Sequence, residues 1–227
     1  MGRKKLLPSL AFEKRLWDSG YCHVAGLDEV GRGAWAGPVV AAAVILPSDD
    51  PTLTVHLAGV RDSKTLTVAR RGALLEVIQR HALSWGVGSA SPIEIDELGI
   101  VAATQRAMSL ALHALSLAPD YLLIDHLPLP DVSLPQISLP KGDACILSIA
   151  AASIVAKVSR DQLMIDLGAR FPGYHFGRHK GYGTGLHQAA LATLGPCALH
   201  RRSFAPVQRV ALQCNGPAVL ADQEREH

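Results

Sequence analysis

Eight consecutive apolar residues, Val39–Leu46 (VVAAAVIL), constrain this 227-residue chain more than any other stretch. A strand with one wet face alternates, so a run apolar on both faces belongs inside a sheet covered on both sides. Directly before it stands Val24–Pro38, VAGLDEVGRGAWAGP, where a short apolar run ends on Asp28 and Glu29 and passes into Gly31-Arg32-Gly33. Tyr21–Val30 and Pro38–Leu46 therefore read as two strands joined through a glycine-rich loop. Asp and Gly are also ordinary turn residues, and taken alone the loop reads equally well as a polar hairpin turn.

Strand and helix patterns alternate along the rest of the chain. A short amphipathic helix within residues 1–20 leads in, anchored by Leu10, Phe12 and Leu16. The periodicity of Leu66, Ala69, Ala73, Leu74, Val77 and Ile78 predicts a helix over 66–82, followed by a strand at 83–90. Ser91-Pro92-Ile93-Glu94 is written as a helix start, with a capping serine and a glutamate three residues on, and that helix should reach about Leu115. Tyr121–Asp125 (YLLID) is a buried strand ending on a carboxylate, and Asp131–Leu139, with prolines around it, is an edge or short strand. Lys141-Gly142-Asp143 precedes a long alanine-rich helix from Ala144 to about Ala169. This order gives an α/β fold with a mixed sheet, antiparallel at the start and joined by parallel crossovers later. Residues 1–170 are expected to form the main domain and 171–209 a small helical extension. Gln213–His227 lacks periodicity, and a disordered tail is expected over 210–227.

Composition narrows the function. With 48% hydrophobic and 19% charged residues the chain is folded and globular. No apolar run approaches the ~20 residues that span a membrane, and the N-terminal stretch is too interrupted for a signal peptide. Position six is Leu6, where a myristoylation signal needs Ser or Thr. Cys22, Cys145, Cys197 and Cys214 are isolated, which argues against zinc and disulfide frameworks and for a reducing cytoplasm. The net charge of +2 hides an asymmetry, since residues 157–209 hold eight Lys/Arg against two Asp/Glu. A basic C-terminal quarter beside an acidic remainder suits a polyanionic partner, with a solvated basic helix face as the lesser alternative.

Asp28-Glu29, Asp125 and Asp143 each fall where a strand ends or a helix begins. Sites in open α/β sheets form outside strand ends, so these acids can converge from distant points in sequence. Four oxygen ligands without His or Cys favour Mg²⁺ or Mn²⁺, and such a cluster repels itself unless cations neutralise it. Asp143 has a competing role as the N-cap of the long helix, worth ~1 kcal/mol. Adjacent strand residues face opposite ways, so Asp28 and Glu29 share a site only if the strand twists or ends there. Asp161 and Asp166, inside the long helix, read as surface or ion-paired.

The order DEVGRG, AGPVVAAAVIL, RDSKTL, YLLID, KGDACILSIAAASIVAKVSRD and FPGYHFGRHKGYGT, over roughly residues 20–206, resembles the ribonuclease HII family. The resemblance implies a ribonuclease-H-like fold with a small helical C-terminal extension. It implies Mn²⁺- or Mg²⁺-dependent hydrolysis of the RNA strand of RNA–DNA hybrids, and incision at single ribonucleotides in duplex DNA. Asp28, Glu29, Asp125 and Asp143 fall on the family's metal ligands, two ions in the active complex, with Asp28 shared between them. Gly31, Arg32 and Gly33 fall on the element that reads the 2′-hydroxyl, and Tyr182 on the tyrosine that senses the ribose–deoxyribose junction. Ser63 and Lys64, within Asp62-Ser63-Lys64, match a segment that meets the nucleic-acid backbone. Lys180, Arg178, Arg201 and Arg202 are further candidates for phosphate contacts. His179 and His187 are proton-shuttle candidates, though histidines in such loops are more often structural. His126 departs from the family, which carries glycine after the strand aspartate; a solvent-facing side chain is expected. A deoxyribonuclease on the same fold and a non-catalytic hybrid-binding protein are the alternatives. A monomer is expected, with no membrane association.

Overall fold

The computed structural model describes residues 7–214. Strand β1 (Val24–Val30) pairs antiparallel with β2 (Val39–Ile45), which pairs antiparallel with β3 (Ser84–Ala90). On its other side β1 pairs parallel with β4 (Tyr121–Asp125), and β4 with the edge strand β5 (Gln136–Leu139). The five-stranded order is β3-β2-β1-β4-β5, so the sheet is mixed, as the sequence pattern implies. Every residue of β2 is buried, which explains its unbroken apolar run.

Among the described residues eight helices accompany these strands: α1 (Ala11–Asp18), α2 (Leu53–His56), α3 (Val68–His81), α4 (Pro92–His113), α5 (Leu147–Arg170), α6 (Phe176–His179), α7 (Gly185–Leu194) and α8 (Ala205–Cys214). The side-chain alternation of β2 sorts the core into two halves. Ala42 and Val44 pack with Ala150, Ala151, Ile154 and Val155 of α5, whereas Ala41, Ala43 and Ile45 pack with Ala103, Ala107 and Met108 of α4. Helix α5 lies so close to the sheet that a Cβ on Gly26 of β1 would stand 2.3 Å from the Ser148 backbone. The alanine run of α5 is what permits that approach.

Several boundaries differ from the sequence-based expectation, among them β5, which starts at Gln136 and not at Asp131. The Ser91–Glu94 capping box forms as expected, but Gly99 (φ 79°, ψ 158°) interrupts α4 seven residues in. The long helix starts at Leu147, because residues 142–144 form a separate 3₁₀ turn whose Gly142 N–H donates to Asp125 Oδ1. The last helix runs to Cys214, past the expected tail boundary at 210, and residues 215–227 of that tail lie outside the described residues.

Two fully buried arginines join the C-terminal segments to the sheet. Arg160 of α5 donates to the carbonyls of Pro38, Ala36 and Lys180 at 2.9–3.3 Å. Arg201 donates to Gly37 and Arg32 at 3.0 and 2.8 Å. These carbonyls belong largely to the glycine-rich loop, where no strand ladder satisfies them. Replacing Arg160 by Met strands three carbonyls in the interior, so we expect a loss of ~3 kcal/mol or more in urea unfolding. A loss below about 1 kcal/mol would show that these bonds are replaceable.

Candidate active site

Parallel pairing aligns Leu27 of β1 with Ile124 of β4, and one step further along both strands stand Asp28 and Asp125. The 3₁₀ turn after β5 adds Asp143. One carboxylate oxygen from each of Asp28, Asp125 and Asp143 lies within 4.8 Å of the others. Asp28 and Asp143 are only 4% and 6% exposed, so their charges are largely withdrawn from water.

The electrostatics follow from that placement. Burial above all, then the charges of Glu29 and Asp125, pushes the Asp28 carboxyl well above the usual carboxylate range. Asp143 is raised by burial and by Asp125. Burial lowers the pKa of exposed Lys64, and the carboxylates of Asp28, Asp143, Asp62 and Asp125 more than reverse this. The donor set is all carboxylate oxygen and its surplus negative charge is confined in the interior, which fits hard divalent cations. Asp28, Asp125 and Asp143 are the residues that would hold them, with Glu29 at their side.

Glu29 does not join the compact group. Alternation along β1 directs it away from the face of Asp28, and its Oε1 pairs with Arg32 at 3.3 Å. Its Oε2 is buried without a partner, and burial, opposed by Arg32, raises its pKa. Asp125 also raises it, so the two charges interact even though no shared ligand geometry is formed. Asp143 is not the N-cap of α5; that position is Ile146, without a side-chain cap.

The other expected site residues divide into those that face outward and those that do not. Gly31 has φ +93°, and a Cβ there would collide with the Arg160 guanidinium. Gly33 has no such constraint, and a Cβ on it would meet nothing within 4 Å. Trp35 N–H donates to Gly181 at 2.8 Å, and Arg160 Cζ sits 5.4 Å from the Tyr182 ring, so the glycine-rich loop and the tyrosine loop adjoin. Arg178 is exposed; Lys180 is half-buried with its ammonium on the Gly177 carbonyl. Ser63 is turned inward, its hydroxyl 2.8 Å from that of Ser153. Arg201 is fully buried, which removes it as a phosphate contact and gives it the loop-holding role above. His126 is exposed with φ 65°, the backbone region that favours glycine.

His179, His187 and His200 form an interior aromatic cluster with Tyr174 and Phe176. His187 Nε2 lies 3.1 Å from His200 Nε2, and burial together with neighbouring histidines pushes both rings down to about 4. They are neutral packing groups near neutral pH. Sequence reasoning missed Ser153, which holds the Ser63 hydroxyl and tempers the raised pKa of Asp28, and Arg160. Their signal was available: Ser153 and Arg160 are polar residues seven apart on the apolar face of α5.

The sheet order, the helix α5 against β1 and the acids gathered at neighbouring strand ends define a metal-dependent nuclease of the ribonuclease-H-like class. The family model described as Ribonuclease HII matches residues 25–207. The Ribonuclease HII of Geotalea uraniireducens (strain Rf4) is 52% identical over 199 residues, covering 88% of this chain and 90% of that protein. That of Chloroflexus aurantiacus (strain ATCC 29364 / DSM 637 / Y-400-fl) is 53% identical over 202 residues, 89% of this chain and 95% of the relative. The crystal structure of ribonuclease H2 from Pyrococcus horikoshii OT3 superposes with a TM-score of 0.69 at 25% identity, covering 86% of this chain and all of that one. The chain belongs to the ribonuclease HII family and is a ribonuclease H of type 2.

An acid whose folded-state pKa exceeds its unfolded value takes up protons on folding. Stability then falls as pH rises between those two values and is regained on acidification. Each tenfold rise in proton affinity corresponds to about 1.4 kcal/mol. With divalent ions chelated, Asp28→Asn should therefore melt above the native protein near neutral pH, the gap closing as the medium is acidified. A lower melting temperature for the variant near neutrality would contradict the repulsion inferred at Asp28.

Proposed function

We propose that this chain cuts the RNA strand of RNA–DNA hybrids and incises 5′ of single ribonucleotides embedded in duplex DNA. The ends left are a 5′-phosphate and a 3′-hydroxyl, and the catalytic ligands are Asp28, Glu29, Asp125 and Asp143. The observation that carries this reading is the convergence of Asp28, Asp125 and Asp143 within 4.8 Å beside the glycine-rich loop. Two bound Mg²⁺ or Mn²⁺ ions would supply an activated water and stabilise the departing 3′-oxygen. Asp28 would serve both ions: it stands beside Asp125 at the strand ends, and after burial itself Glu29, Asp125 and, least, Asp143 all raise its pKa.

The residues around the acids supply recognition. Gly33 has open space beside it and no conformational need for glycine, which suits close approach of a ribose 2′-hydroxyl to the loop backbone. Gly31 and Arg32 belong to the same loop, and the Arg32 carbonyl is fixed by Arg201. Tyr182, held against Arg160, offers a ring for stacking on a sugar or base at the junction. Lys64, Arg178 and Lys180 supply positive charge for phosphates, and Ser63 acts by anchoring the Lys64 turn to Ser153.

The acids, Lys64 and both loops come from one chain, which supports action as a monomer. No described helix is long and apolar enough to cross a membrane. Cys22, Cys145 and Cys197 are free thiols, which suits a reducing cytoplasm. Residues 171–209 act as a basic extension that presents the tyrosine loop to the duplex.

A DNA duplex with one ribonucleotide, incubated with Mn²⁺ or Mg²⁺ beside an all-DNA control, tests this reading. Incision 5′ of the ribonucleotide is expected, with none in the control; equal cutting of both would make the enzyme a deoxyribonuclease. Asp28→Asn should slow incision by more than ~100-fold, beyond the range seen when only a partner of a metal ligand is removed. Duplex binding should be largely spared, and retained turnover would remove Asp28 from the reaction.

A further inference from the structure

Besides the acids at the strand ends, one other group of metal-ligating side chains converges among the described residues: Asp50, His56 and His81. One ligand atom of each lies within 4.8 Å of the other two. Asp50 stands in the loop after β2, His56 is the last residue of α2, and His81 the last of α3. The register separates this group from the acid-lined site. β2 leaves the sheet at Ile45, opposite Ala25 of β1 and Ser84 of β3, whereas Asp28 pairs with Ala42. Asp50, His56 and His81 therefore gather at the opposite end of the sheet from Asp28 and Asp125.

We propose that Asp50, His56 and His81 form a second metal site, for a borderline divalent ion of the Zn²⁺, Co²⁺ or Ni²⁺ class. Two imidazoles and one carboxylate favour these ions over Mg²⁺, which prefers an all-oxygen shell. The Asp50 carboxylate is already oriented, its Oδ1 accepting from the Thr52 N–H and hydroxyl. Those two bonds, and then the nearby histidines, hold its pKa below the usual value, so it is a ready anionic ligand. The carbonyl end of α3, where His81 sits, adds a negative dipole end toward a cation.

The two imidazoles are stacked, centroids 4.2 Å apart and planes 15° from parallel. In-plane lone pairs of parallel rings run side by side, so closing on one ion requires one ring to turn. His56 is exposed, and the ring torsion of histidine is soft, so that turn meets no packed neighbour on its outer side. Remaining coordination positions would be filled by solvent. Bound there, the ion would clip the loop after β2 to the ends of α2 and α3.

Calorimetric titration of the untagged full chain with ZnCl₂, in excess Mg²⁺ to occupy the acid-lined site, tests this directly. One Zn²⁺ per chain is expected, with affinity falling by at least about tenfold in His56→Ala and again in His81→Ala. Zn²⁺ should also raise the melting temperature of the native chain and leave both variants unchanged. Cleavage in Mg²⁺ should be the same for all three proteins. No Zn²⁺ uptake by the native chain, or uptake undiminished in both variants, would overturn the proposal.

Discussion

Parallel pairing of β1 with β4 is the constraint on which the site depends. It sets buried Asp28 beside half-buried Asp125 at the ends of two strands. The turn bearing Asp143 is then tied to the same place, because Gly142 donates to Asp125. Three like charges, two of them buried and one half-buried, form a poor structural motif, and the hydrogen bonds to Asp28 and Asp125 do not neutralise them. That unfavourable arrangement is what makes cation binding favourable. The strain is local: the apolar halves of the core on either side of β2 stabilise the sheet that imposes it.

A second demand is that the glycine-rich loop beside the acids be rigid without being a strand. Arg160 and Arg201 meet it by capping the carbonyls of Arg32, Ala36, Gly37 and Pro38 from outside the loop. The same guanidinium of Arg160 reaches the Lys180 carbonyl and lies against Tyr182. One buried side chain thus fixes the glycine-rich loop relative to the tyrosine loop. Gly31 is required because Arg160 occupies the space a side chain would need, whereas Gly33 faces open space. The two glycines of Gly31-Arg32-Gly33 thus meet different surroundings, the Arg160 side chain at one and open space at the other.

Much of this was legible in the sequence, and for identifiable reasons. The run VVAAAVIL could only be a covered strand, and YLLID matched β4 residue for residue, because long apolar stretches leave one plausible environment. The capping box at Ser91 placed the start of α4 through local hydrogen bonding alone. Less legible were features set by distant partners. Asp143 lies in a turn of its own because Asp125, eighteen residues away, holds Gly142. Arg201 looked like a surface cation within a basic run, and only the folded chain shows carbonyls waiting for it. Glu29 illustrates the limit of adjacency: its neighbour Asp28 joins the acid group, and strand alternation sends Glu29 to Arg32.

The collected carboxylates of Asp28, Asp125 and Asp143 have the chemistry of a divalent-cation site. The most direct measurement is electron paramagnetic resonance of free Mn²⁺ titrated with the protein, comparing the native chain with Asp125→Asn. The native chain should deplete the free-ion signal, and the variant should deplete it far less at the same concentration. Equal depletion by the two proteins would mean that Mn²⁺ binds elsewhere, and that the convergence of Asp28, Asp125 and Asp143 is not a metal site.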